Sequence, residues 1–224
     1  DNSTPLRRFW VEYRENKVAV LAMVFLVALI LLAIFAGFVS PQDPYDLANL
    51  SLMDSRRPPG FVGSGGYTHI LGTDPQGRDL LSAIFYGLRI SIMIGLAAGF
   101  VSLSLGTALG ITAAYVGGRV ESLIMRLIDL QLSFPAILLA LVIVALLGQG
   151  KIQLIGALVA AQYAYFARTA YGAAKAERGK DYIEAALATP LSGRLVVWRH
   201  LLPNCTPPPI VVATVQIANA ISLE

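Results

Sequence analysis

Ala19-Val20-Leu21-Ala22-Met23-Val24-Phe25-Leu26-Val27-Ala28-Leu29-Ile30-Leu31-Leu32-Ala33-Ile34-Phe35-Ala36-Gly37-Phe38-Val39 is a run of 21 residues without a charge. At about 1.5 Å per residue, a helix of that length covers the roughly 30 Å hydrocarbon core of a bilayer. The apolar part of a signal peptide is shorter, roughly 7–15 residues, and precedes a small-residue cleavage site. Here Ser40-Pro41-Gln42-Asp43-Pro44 follows instead. The run reads as a true membrane span. Composition agrees: 56% of the 224 residues are hydrophobic and 14% are charged, with a mean hydropathy of +0.65. Soluble domains carry about 25% charged residues, so the deficit points to lipid as solvent. A scattered net charge of +3 excludes a nucleic-acid binder. Cys205 is the one cysteine, which excludes an internal disulfide and a Cys-rich metal site. His69 and His200 lack a partner set for a metal.

Further apolar stretches follow at 90–116, 130–148, 152–167 and 208–223, so about five spans are expected. Arg7, Arg8, Arg14 and Lys17 precede the first, which sets the N-terminus inside. Arg119 and Arg126 then fall inside, as does the loop 168–204 with Arg168, Lys175, Arg178, Lys180, Arg194 and Arg199. The loop 40–89 falls outside, its four Arg balanced by five Asp. The resulting division is a cytoplasmic segment 1–17, a first transmembrane helix 18–40, an extracytoplasmic loop 41–89 and a membrane core 90–224. Glu224 closes the chain within the fifth span, so the expectation is a core cut short of a sixth.

Within the second span, Gly95, Gly99, Gly106 and Gly110 make two small-xxx-small pairs on roughly one face. Such a face lets helix backbones approach closely in lipid. Packing is the plainer reading and hinge motion the sharper one. In the outer loop, Asp74 and Pro75 have the form of a helix cap and first residue. Leu80, Leu81, Ile84, Phe85 and Leu88 then share one face, which predicts an amphipathic helix leading into the second span.

The inner loop 175–204 is polar and patterned. Asp181 and Glu184 have capping-box spacing, with a short helix through Ala185, Ala186 and Ala188. The residue before a proline avoids helical geometry, so Thr189 should end it. Thr189 and Pro190 then suit the start of a second helix, carrying Leu195, Val196, Trp198, Leu201 and Leu202 and ending at Pro203. A helix–break–helix on the inner side is a rigid handle for a soluble partner.

This segment resembles the coupling loop of ABC-importer permeases, in which Glu-Ala-Ala is followed after three residues by Gly and, after nine more, by His or another residue and then an apolar-Leu-Pro. Glu184-Ala185-Ala186 and His200-Leu201-Leu202-Pro203-Asn204 match at that spacing. Pro190 stands at the glycine position and Gly193 lies three residues on. Proline keeps the break but cannot take a left-handed turn. The stretch His69 to Ser91, with Leu71-Gly72-Thr73-Asp74, Gly77-Arg78-Asp79 and Tyr86-Gly87, is similar to dipeptide/oligopeptide-type permeases, as are Tyr115 to Gly118, Glu121 to Asp129 and Phe134-Pro135. The likeness covers most of residues 17–224 and is to the second-permease type of the dipeptide/oligopeptide/nickel branch.

It implies an all-α polytopic membrane protein of the type I importer fold, with six transmembrane helices. It also implies a bacterial cytoplasmic membrane, a sister permease, two ATP-binding subunits and an extracytoplasmic solute-binding protein. ATP and Mg would be bound by the partner ATPases and no cofactor by this chain. Asp181, Tyr182, Glu184, Ala185, Ala186, Pro190, Gly193, Arg199 and His200 would meet the ATPase. The substrate stays open among dipeptides, longer peptides, glutathione-like compounds, opines and chelated nickel.

Several polar residues have two readings. Arg126 and Asp129, at i and i+3, form a surface ion pair or take part in gating. Arg168, near Gln162, is an interfacial anchor or a pathway residue. Thr214, Gln216 and Asn219 line a polar cavity or bond between helices. Gly148-Gln149-Gly150-Lys151 lacks the first glycine and the Ser/Thr of a phosphate loop, so ATP belongs to another chain. No catalytic set appears, so the chain itself is not read as an enzyme. A self-sufficient carrier or channel remains the alternative.

Overall fold

The computed structural model describes residues 5–46, 50–148, 150–188 and 193–223. The chain forms two compact units, residues 1–92 and 93–224.

The first unit starts with α1 (Pro5–Glu15) and α2 (Lys17–Ile34). Asn16 separates them, its side chain accepting from the Val18 and Ala19 N–H groups at 3.1 Å. That satisfies two of the donors a helix start leaves open. Of α2 only Ala33 is buried, as expected of a helix whose solvent is lipid. The expected first span breaks at Phe35, after which α3 (Ala36–Val39) completes it.

The segment after α3 is held by polar contacts around a two-stranded ribbon, β1 (Phe61–Val62) and β2 (Thr68–His69), paired antiparallel. His69 Nδ1 and Asp79 Oδ1 lie 3.0 Å apart, both side chains 1% exposed. Asp79 Oδ2 accepts from the Ser82 N–H and hydroxyl, each at 2.7 Å, and the Asp79 N–H donates to Gln42 Oε1. Asp79 is thus the residue that caps α4 (Leu80–Val116). The expected start at Asp74-Pro75 is corrected. Gly77 takes φ +78, which a helix cannot hold, so Asp74 folds a turn instead. It accepts from the Gln76 and Arg78 N–H groups and from Arg78 Nε. Burial would raise the Asp74 carboxyl, but these donors together hold it below the ordinary value. The expected helix leading into the second span starts at Leu80, as the first turns of a continuous 37-residue α4.

In the second unit, α4 meets α5 (Gly118–Leu132) across Gly117-Gly118, both at positive φ. α6 (Ala136–Leu147) follows, bent by 91° from α5. The expected third span at 130–148 therefore starts at Ala136. Pro135 bars its predecessor Phe134 from helical geometry and forces the corner. α7 (Lys151–Arg178) outruns the expected 152–167 by three turns, running through Gly172 and ending at Gly179. α8 (Asp181–Ala188), α9 (Gly193–Val196), α10 (Leu202–Cys205) and α11 (Pro207–Leu223) complete the chain. By length and apolarity alone, α2 and α4 can cross a membrane, and the bent α5–α6 pair makes a third candidate. α7 is long enough but diluted by Gln153, Gln162 and Arg168, and α11 is a shorter apolar helix.

The glycine face of α4 divides between two partners. A Cβ on Gly95 or Gly99 would stand 2.5 Å from Ile221 or Ile217 of α11. One on Gly106 would strike the Tyr163 carbonyl of α7, and one on Gly110 would stand 2.7 Å from the Tyr171 nitrogen. Side chains can yield, but backbone cannot without moving a helix. α5 is tied to α7 by Lys175 Nζ, 2.6 Å from Glu121 Oε1, and by the Tyr171 hydroxyl on the same oxygen.

Gly110→Val should therefore destabilise the protein by about 1–3 kcal/mol or more. Gly156→Val, at a position with nothing within 4 Å, serves as the control. Thermal unfolding midpoints in detergent measure both, and equal midpoints would refute the close approach.

Candidate functional site

The chain beyond α7 folds back on it. The Lys180 carbonyl accepts from the Ile183 and Glu184 N–H groups, so Asp181 lies inside the first turn of α8. The expected capping box is corrected by one position. Asp181 and Glu184 still place negative charge at the positive end of the helix. Ile183, Leu201 and Cys205 are buried against Ile111 and Ala114 of α4 and Ala170 and Ala174 of α7. Burying a side chain the size of Ile183 or Leu201 contributes about 1.5–3 kcal/mol. The alanines of α7 are what let α8 sit close.

A polar strut runs beside this apolar contact. Asn204 Nδ2 donates to the Tyr182 hydroxyl at 3.1 Å, which donates to Glu177 Oε1 at 2.5 Å. Asn204 Nδ2 also reaches the His200 carbonyl at 2.7 Å. Burial of the phenol, then its bond to Glu177, pushes Tyr182 up to about 12. Burial likewise pushes the Cys205 thiol up to about 11, with the Glu177 charge adding to it. Arg178 donates to the Ala114 carbonyl at 2.7 Å and lies over the Tyr115 ring, so a cation closes the C-terminal end of α4.

The expected second helix is corrected at its far end. Thr189 and Pro190 lie outside the described residues. From Gly193 the chain runs helically through a π turn at Val197–Leu201 and on past Pro203. In α register the Pro203 ring would press on the Arg199 carbonyl. The wider turn relieves this, the Leu202 N–H donating to Val197 five residues back. Gly193 serves close packing rather than a left-handed turn: a Cβ there would collide with the Tyr115 hydroxyl.

Outward from this clamp, Glu184, Arg199 and Trp198 are exposed, Trp198 by 70%. His200 and Ala186 are half-buried, and Ala185 lies in the α8 backbone.

The candidate pathway residues gather elsewhere. Gln162, Tyr165, Gln216, Asn219 and Ser222 line a cavity of about 240 Å³ between α7 and α11. Leu132, Arg168 and Thr169 line an adjoining one of about 370 Å³ that shares Tyr165 and Gln216. The expected Arg126–Asp129 pair is corrected: Asp129 binds Arg168 of α7, and Arg126 points to the exposed side of α5. A cavity of about 470 Å³ beside Trp198 is lined by apolar groups such as Leu103, Ile111, Val197 and Ile210 and by Ser104, Thr107, Thr112 and Thr206.

Glu177 and Tyr115 carry structural weight that sequence reading did not assign. Their partners, Tyr182 and Gly193, lie 5 and 78 positions away, and only the first interval is short enough to suggest a pairing.

Residues 106–224 match the family described as binding-protein-dependent transport system inner membrane component. Residues 4–59 match the N-terminal transmembrane domain of oligopeptide transport permease C. The chain is 36% identical to a di/tripeptide transport system permease protein of Pseudomonas aeruginosa, over 97% of this chain and 71% of that one. It is 33% identical to a dipeptide transport system permease protein of Haemophilus influenzae, over 97% and 73%. It is 31% identical to a glutathione transport system permease protein of Pectobacterium atrosepticum, over 97% and 70%.

The clamp is testable through its own thiol. Cys205 is fully buried and its thiolate forms only near pH 11, so N-ethylmaleimide should label the folded protein far more slowly than the denatured one at pH 7.5. Mass spectrometry of the labelled chain reads this, and equal rates would mean the clamp is open.

Proposed function

This chain belongs to the family of binding-protein-dependent transport system inner membrane components, and on that premise we propose that it is one of two permeases lining the path of an ATP-driven peptide importer. The family is one of transport permeases, not of catalysts. ATP and Mg then belong to two partner ATPases, and a solute-binding protein delivers the ligand at the outer face. The membrane is the bacterial cytoplasmic one, with the N-terminus inside, supported by Arg14 and Lys17 before the first span. Short peptides are the cargo class that the named relatives support best.

The observation that carries the coupling role is the clamped handle. α8 and the π turn expose Glu184, Trp198 and Arg199, while Ile183, Leu201 and Cys205 fix their inner faces to α4 and α7. Through these packed contacts a load on the exposed face would reach two membrane helices. When the ATPases close on ATP, the handles of the two permeases move together. The packed helices then shift between inward-open and outward-open states, since close-packed interfaces switch rather than stretch. ATP supplies the preference for one state, and the handle carries it.

Glu184→Lys reverses one exposed charge and leaves the buried face intact. The complex should assemble while ligand-stimulated ATP hydrolysis and peptide uptake each fall by at least about tenfold. Reconstituted proteoliposomes measure both. An assembled variant with wild-type stimulation and uptake would sink the coupling role.

A further inference from the structure

Gln162 is 1% exposed, and neither its Oε1 nor its Nε2 has a hydrogen-bond partner among the described residues. It lies 11 residues into α7, about 17 Å from that helix's outer end and so near the middle of a roughly 30 Å core. An unpaired carboxamide at that depth is costly, and an apolar side chain would pack there without the cost. Gln162 faces the cavity that Tyr165, Gln216 and Asn219 also line. Gln216 lies nine residues into α11, about 14 Å from its inner end, and accepts from Asn219 Nδ2 at 3.3 Å. Three carboxamides thus converge near the midplane from two helices.

We propose that Gln162, Gln216 and Asn219 form a subsite that hydrogen-bonds the backbone amides of a short peptide in transit, with Arg168 receiving its terminal carboxylate. This rests on the permease reading and names the substrate contact in its pathway. A carboxamide presents N–H donors and a carbonyl acceptor, the same complement as a peptide bond. Neutral amides recognise what all peptides share and ignore their side chains. Arg168 lines the adjoining cavity, and its pair with Asp129 is about half exposed, so the guanidinium can exchange one carboxylate for another. The two cavities share Tyr165 and Gln216 in their linings, and the second, of about 370 Å³, lies within the roughly 300–1,000 Å³ of small-ligand sites.

The test uses the complex with its sister permease and ATPases in nanodiscs, without the solute-binding protein. Tritiated trialanine should bind saturably, and Gln162→Leu should weaken binding by at least about tenfold while Gln162→Asn retains part of it. An analogue of trialanine with both amides replaced by esters should bind the wild-type complex more weakly than trialanine. Equal binding by wild type and Gln162→Leu, or by amide and ester, overturns the subsite. The ester comparison decides the matter even where Gln162→Leu fails to assemble. A wild-type complex that imports trialanine with its binding protein but binds none alone refutes the subsite and leaves the permease reading standing. A complex that imports no peptide overturns the permease reading, and the subsite with it.

Discussion

The second unit depends on how closely α7 approaches α4. Gly106 and Gly110 remove two side chains that would otherwise stand against α7 backbone at Tyr163 and Tyr171. In lipid no hydrophobic force drives helices together, so such contact area must come from van der Waals packing. The alanine ladder Ala157, Ala161, Ala164, Ala167, Ala170 and Ala174 continues the same solution along α7. Its outer part meets Ala140 of α6 and its inner part meets α8. α7 is therefore the hub on which both the handle and the polar cavities are mounted.

The packed end and the polar cavity use opposite physics on that one hub. At the inner end, apolar burial and a polar strut make a joint with few degrees of freedom. Nearer the middle, Gln162 keeps an amide without a hydrogen-bond partner among the described residues, a local cost that a tight joint would not tolerate. The helix thus joins a closely packed end at α8 to a region lined by Gln162, Gln216 and Asn219.

Local pattern carried much of this architecture and failed where distant partners decide. The charge-free run at 19–39 and the four α4 glycines were readable because lipid leaves few alternatives for a helix. The cap of α4 was misplaced because Asp74 and Asp79 offer the same local chemistry. His69 and Gln42, 10 and 37 positions away, select Asp79. Asp129 was matched to Arg126 by helical spacing, while the fold presents Arg168, 39 positions on. The α5–α6 corner did have a local sign in Phe134-Pro135, but an apolar run masked it. The Glu-Ala-Ala motif marked the segment around α8, yet gave no sign of its buried half, Ile183 with Leu201 and Cys205, which only the packing reveals.

The π turn at Val197–Leu201 makes chain length, more than side-chain identity, the quantity held fixed between handle and membrane. From Gly193 to Leu223 the chain is helical but for Thr206, whose carbonyl still accepts from Ile210. One residue is about 100° of rotation in such a run. A single deletion between Leu202 and Gln216 would swing Gln216 and Asn219 about a quarter-circle away from α7. No single substitution in that stretch re-phases α11 in this way.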